Sequence, residues 1–205
     1  PRDYSETTIQ AMLDYPSIMP SLHLPVQSGS NSVLRRMARG YTIEEYKEVY
    51  DRLKQRIPNI TFTTDLIVGF PGETEEEFQE TLDLVDYCRF DNAYSFMYSP
   101  RSGTPAAIME NQIPENIKKE RLLRLNEHIN HWARVNNEKY MDTVVEVLGE
   151  GTSKEDDTVY SGYSRENKLV NFRSDYNPTG KIVKVRITGV KSFSLDGIAL
   201  PQETD

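Results

Sequence analysis

Three polar residues stand where parallel α/β folds bind small molecules, at the C-terminal ends of strands and on their inner faces. Gln27, with Ser28 after it, ends the run Leu22-His23-Leu24-Pro25-Val26-Gln27, and Arg39 closes the short helical stretch that follows. Asp65 sits in the middle of Phe62-Thr63-Thr64-Asp65-Leu66-Ile67-Val68. An amide, a guanidinium and a carboxylate suit ribose hydroxyls, a carboxylate and an ammonium, the polar groups of an amino-acid-bearing nucleoside. An ionised Asp in a packed core is costly unless it is paired or serves a ligand. Asp65 is therefore expected to face a lumen that holds something polar. A buried Arg or His partner is the alternative that spacing leaves open. His23 shares the inferred face of Gln27 and reads as a satisfied core histidine.

Other candidates carry less. Gly69-Phe70-Pro71-Gly72-Glu73-Thr74 lacks the Lys of a Walker motif and the spacing of a dinucleotide fingerprint. Its glycines better suit a backbone lying close to a flat ligand such as adenine. His128 and His131 have no third metal ligand nearby. Lys118, Lys119, Arg121 and Arg124 read as a solvated helix face. Cys88, the single cysteine, reads as a small buried hydrophobe, and one thiol makes neither a disulfide framework nor a cluster site.

The elements that must position these groups follow from periodicity. Ser5 can cap a helix to about Tyr15, which Pro16 ends. A strand over 22–27 is irregular, because Pro25 removes a ladder donor. A short helix from Ser32 to Arg39 stops at Gly40. Thr42 with Glu45, and Thr74 with Glu77, have capping-box spacing ahead of apolar residues at helical intervals. In the strand over 60–68, Phe62, Thr64, Leu66 and Val68 alternate with Thr63, Asp65 and Ile67. A third strand covers 92–98, and a long helix runs from Pro114 to about Tyr140 with Leu122, Leu125, Ile129 and Trp132 on its apolar face. Strands polar on one face fit a partial barrel around a ligand better than a doubly covered sheet. The strand over 22–27 should keep one edge unpaired.

After Met141 the texture changes to short strands near 144–148, 159–162, 168–172, 181–187 and 192–198, which suggests a small β-barrel. In it Arg165, Lys168 and Arg173 are interleaved with Tyr163 and Phe172. Small barrels with basic and aromatic residues on one face hold RNA by phosphate contact and stacking.

The 205 residues suffice for one large or two modest domains. Hydrophobic residues are 37% and charged residues 27%, and no run is long and apolar enough to cross a membrane. The start Pro1-Arg2-Asp3-Tyr4 has no signal-peptide pattern and no initiating Met, so a fragment of a longer chain is expected. A net charge of −8 is unlike a generic nucleic-acid binder, so any RNA contact needs a local patch.

Four stretches, in order, resemble the radical S-adenosylmethionine methylthiotransferases, above all the MiaB-type branch acting on tRNA. They are Leu22-His23-Leu24-Pro25-Val26-Gln27-Ser28-Gly29-Ser30, Arg39-Gly40-Tyr41-Thr42, the run from Thr63 to Thr74, and Tyr98-Ser99-Pro100-Arg101-Ser102-Gly103-Thr104-Pro105-Ala106. The tail, with Asn167-Lys168-Leu169-Val170-Asn171-Phe172, is similar to their TRAM domain. The resemblance implies an α/β fold: the C-terminal half of a partial (β/α) radical SAM barrel over 1–139, then a TRAM-like RNA-binding β-barrel over 140–205.

The resemblance also implies the chemistry. Such an enzyme inserts a methylthio group into N6-isopentenyladenosine beside the tRNA anticodon. One S-adenosylmethionine gives the methyl and another the 5′-deoxyadenosyl radical, and two [4Fe–4S] clusters are held by cysteines outside this chain. Gln27 and Asp65 would face the ribose or methionyl amine, with Ser28 beside them. Arg39 would face the methionyl carboxylate, and Ile67 and Gly69 would lie along the adenine. The family's G-x-I-x-G-x-x-E pattern is imperfect here, since Asp65 replaces its first Gly and Glu73 falls one step late. Arg165, Lys168, Arg173 and Phe172 would contact the anticodon stem-loop of tRNA. A cytoplasmic enzyme, monomeric at full length, is implied. Two alternatives stand beside it: a sister enzyme acting on a ribosomal protein aspartate and, for these residues by themselves, a non-catalytic RNA-binding module.

Overall fold

The computed structural model of the protein describes residues 4–153 and 156–202, so Pro1-Arg2-Asp3 lies outside the described residues. Helix α1, Glu6–Asp14, starts where the Ser5 hydroxyl accepts the Thr8 amide, and it buries Ile9. Strand β1 is only Ser21–His23, shorter than the expected 22–27. The Leu24 amide still donates to the Thr63 carbonyl at 2.8 Å, but Pro25 has nothing to donate, and the Val26 amide turns to the Thr64 hydroxyl at 3.1 Å. The chain rejoins the sheet at one residue, Gln27, which bridges Leu66. Helix α2, Asn31–Arg36, also ends earlier than expected. Ala38 rather than Gly40 takes the left-handed turn, at φ 55°, and the Arg39 amide closes back on the Leu34 carbonyl at 2.8 Å.

Helix α3, Ile43–Arg56, and helix α4, Glu75–Cys88, both begin in complete capping boxes, on Thr42 with Glu45 and on Thr74 with Glu77. Between them lies strand β2, Thr61–Val68, whose burial alternates as its sequence does. Strand β3, Asn92–Met97, and helix α5, Glu115–Glu138, complete the first half. The three strands are parallel in the order β1-β2-β3, and β1 keeps a free edge among the described residues. One face of this sheet packs Phe62, Leu66 and Val68 against the helices. The other face is uncovered, with Tyr94 54% and Phe96 52% exposed.

The second half is a barrel of β4 (Val144–Thr152), β5 (Tyr160–Ser164), β6 (Leu169–Arg173), β7 (Ile182–Val190) and β8 (Leu195–Ala199), closed in the order β4-β5-β6-β8-β7. Val147, Val170, Phe172, Val185, Ile187 and Leu195 fill it, together with Tyr140 from the end of α5. Gly162 allows β5 to close on β4, since a Cβ there would lie 2.1 Å from the Leu148 carbonyl oxygen. No helix among the described residues is long and apolar enough to cross a membrane.

Candidate functional site

A groove of about 730 Å³ runs along the C-terminal end of the open sheet face. Gln27, Arg39, Asp65 and Ile67 line it, with Phe96 on β3 beside Ile67 and Tyr98 and Arg101 from the loop after β3. Gln27 is held there by its backbone, which donates to the Asp65 carbonyl and accepts from the Ile67 amide, both at 2.9 Å. Its φ of 74° is costly for a residue with a side chain, and such strain concentrates at ligand sites. Asp65 projects from β2 and meets His23 Nε2 at 3.5 Å, while His23 Nδ1 lies 2.8 Å from the Thr63 hydroxyl. His23 is thus on the open face and not a core histidine, its side chain 45% exposed among the described residues. Arg39 is exposed, and neither its guanidinium nor that of Arg101 has a hydrogen-bond or ion-pair partner among the described residues. The Tyr98 hydroxyl is buried without a partner, a polar atom that a bound molecule would satisfy.

The turn after β2 is braced from behind. Glu73 is 3% exposed, accepts the Gly69 amide at 2.8 Å and pairs with Arg121 at 2.8 Å. Burial raises the Glu73 carboxyl above its ordinary value, and the Gly69 amide and Arg121 act against it. Lys118 donates to the Tyr98 carbonyl at 3.1 Å, and Arg124 pairs with Glu75 at 2.6 Å. Of the four expected solvated cations, Lys118 and Arg121 therefore tie α5 to the end of β3 and the turn after β2, and Arg124 ties it to α4. Arg36 grips Glu77 with two nitrogens, at 2.6 and 3.0 Å, and ties α2 to α4.

Two of the expected cofactor residues are not in this groove. Ser28 is fully buried, 3.3 Å from the Thr81 hydroxyl, because the left-handed Gln27 turns the chain behind the sheet. Gly69 has its amide on Glu73, and its α-carbon faces Lys118, whose Cγ would lie 2.3 Å from an added Cβ. Its positive φ of 73° is one glycine adopts readily, and the Lys118 side chain packs on its α-carbon. Conversely, Phe96, Tyr98 and Arg101 were missed as groove residues. The run Tyr98-Ser99-Pro100-Arg101 carried the signal, since it begins where β3 ends.

The expected RNA residues are also redistributed. Lys168 is buried and pairs with Asp91 at 2.7 Å across the two halves. Burial pulls its ammonium below the ordinary lysine value, and Asp91 acts against that. Arg165 donates to the carbonyls of Pro16 and Ile18. Phe172 is in the barrel core, because period two points it inward. Arg173 and Tyr163 remain on the surface. The first two cations therefore join the two halves, Lys168 in a buried pair and Arg165 through one guanidinium nitrogen.

The groove offers an unpaired cation, a carboxylate, an amide and apolar walls, which fits an amino-acid-bearing nucleoside. No group of three or more metal-ligating side chains exists among the described residues, and Cys88 is buried.

Comparison with known proteins gives two family matches: the Radical SAM superfamily over residues 1–85 and the TRAM domain over residues 138–200. A tRNA-2-methylthio-N(6)-dimethylallyladenosine synthase of Acetivibrio thermocellus is 51% identical over 197 residues, which are 96% of this chain and 41% of the relative. Synthases of the same name from Alkaliphilus oremlandii and from Staphylococcus aureus strain JH9 are 52% and 49% identical, and 42% and 38% of their lengths are matched. The chain thus spans about two fifths of the length of these curated relatives.

Proposed function

Starting from a chain that joins a radical SAM segment to a TRAM domain, we propose that it is the C-terminal portion of a cytoplasmic tRNA methylthiotransferase. The proposed reaction converts N6-isopentenyladenosine beside the anticodon into its 2-methylthio derivative. The division falls at 139/140, where α5 gives way to the barrel. S-Adenosylmethionine, with two [4Fe–4S] clusters bound by cysteines outside this chain, supplies the methyl group and the radical. This chain's own residues bind and orient. Arg39 pairs the methionyl carboxylate, Asp65 holds the methionyl ammonium or a ribose hydroxyl, and Gln27 takes the ribose. Ile67 and Phe96 exclude water beside the adenine. The residues present do not fit a cluster, so no step is assigned to one here. The full-length enzyme acts as a monomer on the anticodon stem-loop of tRNA.

One observation carries this reading: an unpaired Arg39, Asp65 and a backbone-locked Gln27 line one groove. The relatives' names support a tRNA substrate over a ribosomal protein. In the full-length parent, Arg39→Ala should weaken S-adenosylmethionine binding by about tenfold or more, the scale of a lost charge-assisted hydrogen bond. Mass spectrometry should then find less 2-methylthio nucleoside in tRNA. Unchanged affinity would remove Arg39 from the site, and methylthio groups found on ribosomal peptides alone would move the substrate.

A further inference from the structure

We propose that the cleft between the sheet and the barrel is a second binding site, which takes one unstacked RNA base bearing an exocyclic amino group. It deepens the tRNA reading above and rests on it. The cleft, about 360 Å³, lies at the N-terminal end of the same open sheet face that carries the groove. Tyr94 from β3, Tyr163 from β5 and Phe193 before β8 line it, and they are 54%, 40% and 49% exposed. Two domains thus present aromatic rings to one space, as stacking of a splayed base requires.

The polar signal is Asn137, which is 1% exposed and also lines the cleft. Its Nδ2 donates to the carbonyls of Lys191 at 2.7 Å and Ser192 at 3.1 Å. A flipped amide would set oxygen against both carbonyls, so the orientation is fixed. Oδ1 is then left buried with no partner. A buried orphan acceptor asks for an N–H donor, and an exocyclic amine is what adenine, cytosine or guanine offers. The lining cation, Lys168, is already paired with Asp91 at 2.7 Å, so the cleft suits a base and not a phosphate.

The test uses the full-length parent and anticodon stem-loops. Tyr163→Leu and Phe193→Leu should each weaken stem-loop binding by about tenfold, the scale of one lost stacking contact, with unfolding temperature unchanged. Replacing loop adenosines one at a time by purine riboside, or cytidines by zebularine, which lack the amine, should weaken parent binding at one position. That penalty should vanish in Asn137→Ala. If the parent binds stem-loops and both leucine variants match it, the cleft site is wrong while the tRNA reading stands. A parent that binds no stem-loop overturns both. Leucine variants that lose stability but keep RNA affinity would mean that another segment of the longer protein fills the cleft, which also overturns the proposal.

Discussion

Asp65 and Arg39 were singled out by the same reasoning and meet different surroundings. Asp65 shares its face with His23 at 3.5 Å, whereas Arg39 has no partner among the described residues. Residue type and face were legible, because period two assigns each strand residue a side. Partners were not legible. The carboxylate that takes Lys168 is 77 positions away, and no local spacing encodes such a pairing. Interleaving with aromatics made Lys168 and Arg165 look free, and burial by a second domain makes them joints. Cys88 was readable, since it falls on the buried side of α4 beside Val85. Burial pushes its thiol well above the ordinary value, so it is a poor thiolate. Anaerobic reconstitution of this chain with iron and sulfide should leave no stoichiometric [4Fe–4S] absorbance.

Elements whose signals are local came out of the sequence nearly intact. Both capping boxes sit where Thr and Glu three apart put them, and β2 alternates as written. Ends fixed by tertiary contact did not. Helix α2 stops at Arg36 because Arg36 is drawn to Glu77 and Ala38 takes the turn. That contact predicts an acid effect. Burial works to raise the Glu77 carboxyl, but hydrogen bonds from Arg36, Ser32 and the Thr74 amide outweigh it and hold it at about 2 against an ordinary 4.5. A depressed carboxyl stabilises the fold fully above pH 4.5 and loses that contribution as pH falls towards 2. Partial solvation limits the effect to on the order of 1–2 kcal/mol. Chemical denaturation of Glu77→Gln should show a flatter stability profile across that window than the parent.

At the scale of the molecule, the sequence announced two units and was silent on how they meet. The hairpin between β5 and β6 seats on the N-terminal ends of the strands. Arg165 reaches the Pro16 and Ile18 carbonyls, the Thr61 hydroxyl donates to the Glu166 carbonyl at 2.7 Å, and Lys168 reaches Asp91. Lys168→Ala would leave Asp91 buried and unpaired, a loss of about 3–5 kcal/mol. Small-angle scattering should then report a more extended particle, and limited proteolysis should cut near residue 140; an unchanged profile would mean that the other contacts suffice. Asp91 does one thing more. Its second oxygen accepts the Phe62 amide at 2.9 Å, so one carboxylate answers both the sheet and the barrel. Parting the halves there would leave the Phe62 amide bonded, since both partners lie in the sheet half, but would strip a buried carboxylate of its cation. The cost of losing that pair couples the halves, so they are expected to unfold together. Calorimetry should record a single endotherm for the parent, with van't Hoff and calorimetric enthalpies in agreement, and two for Asp91→Ala.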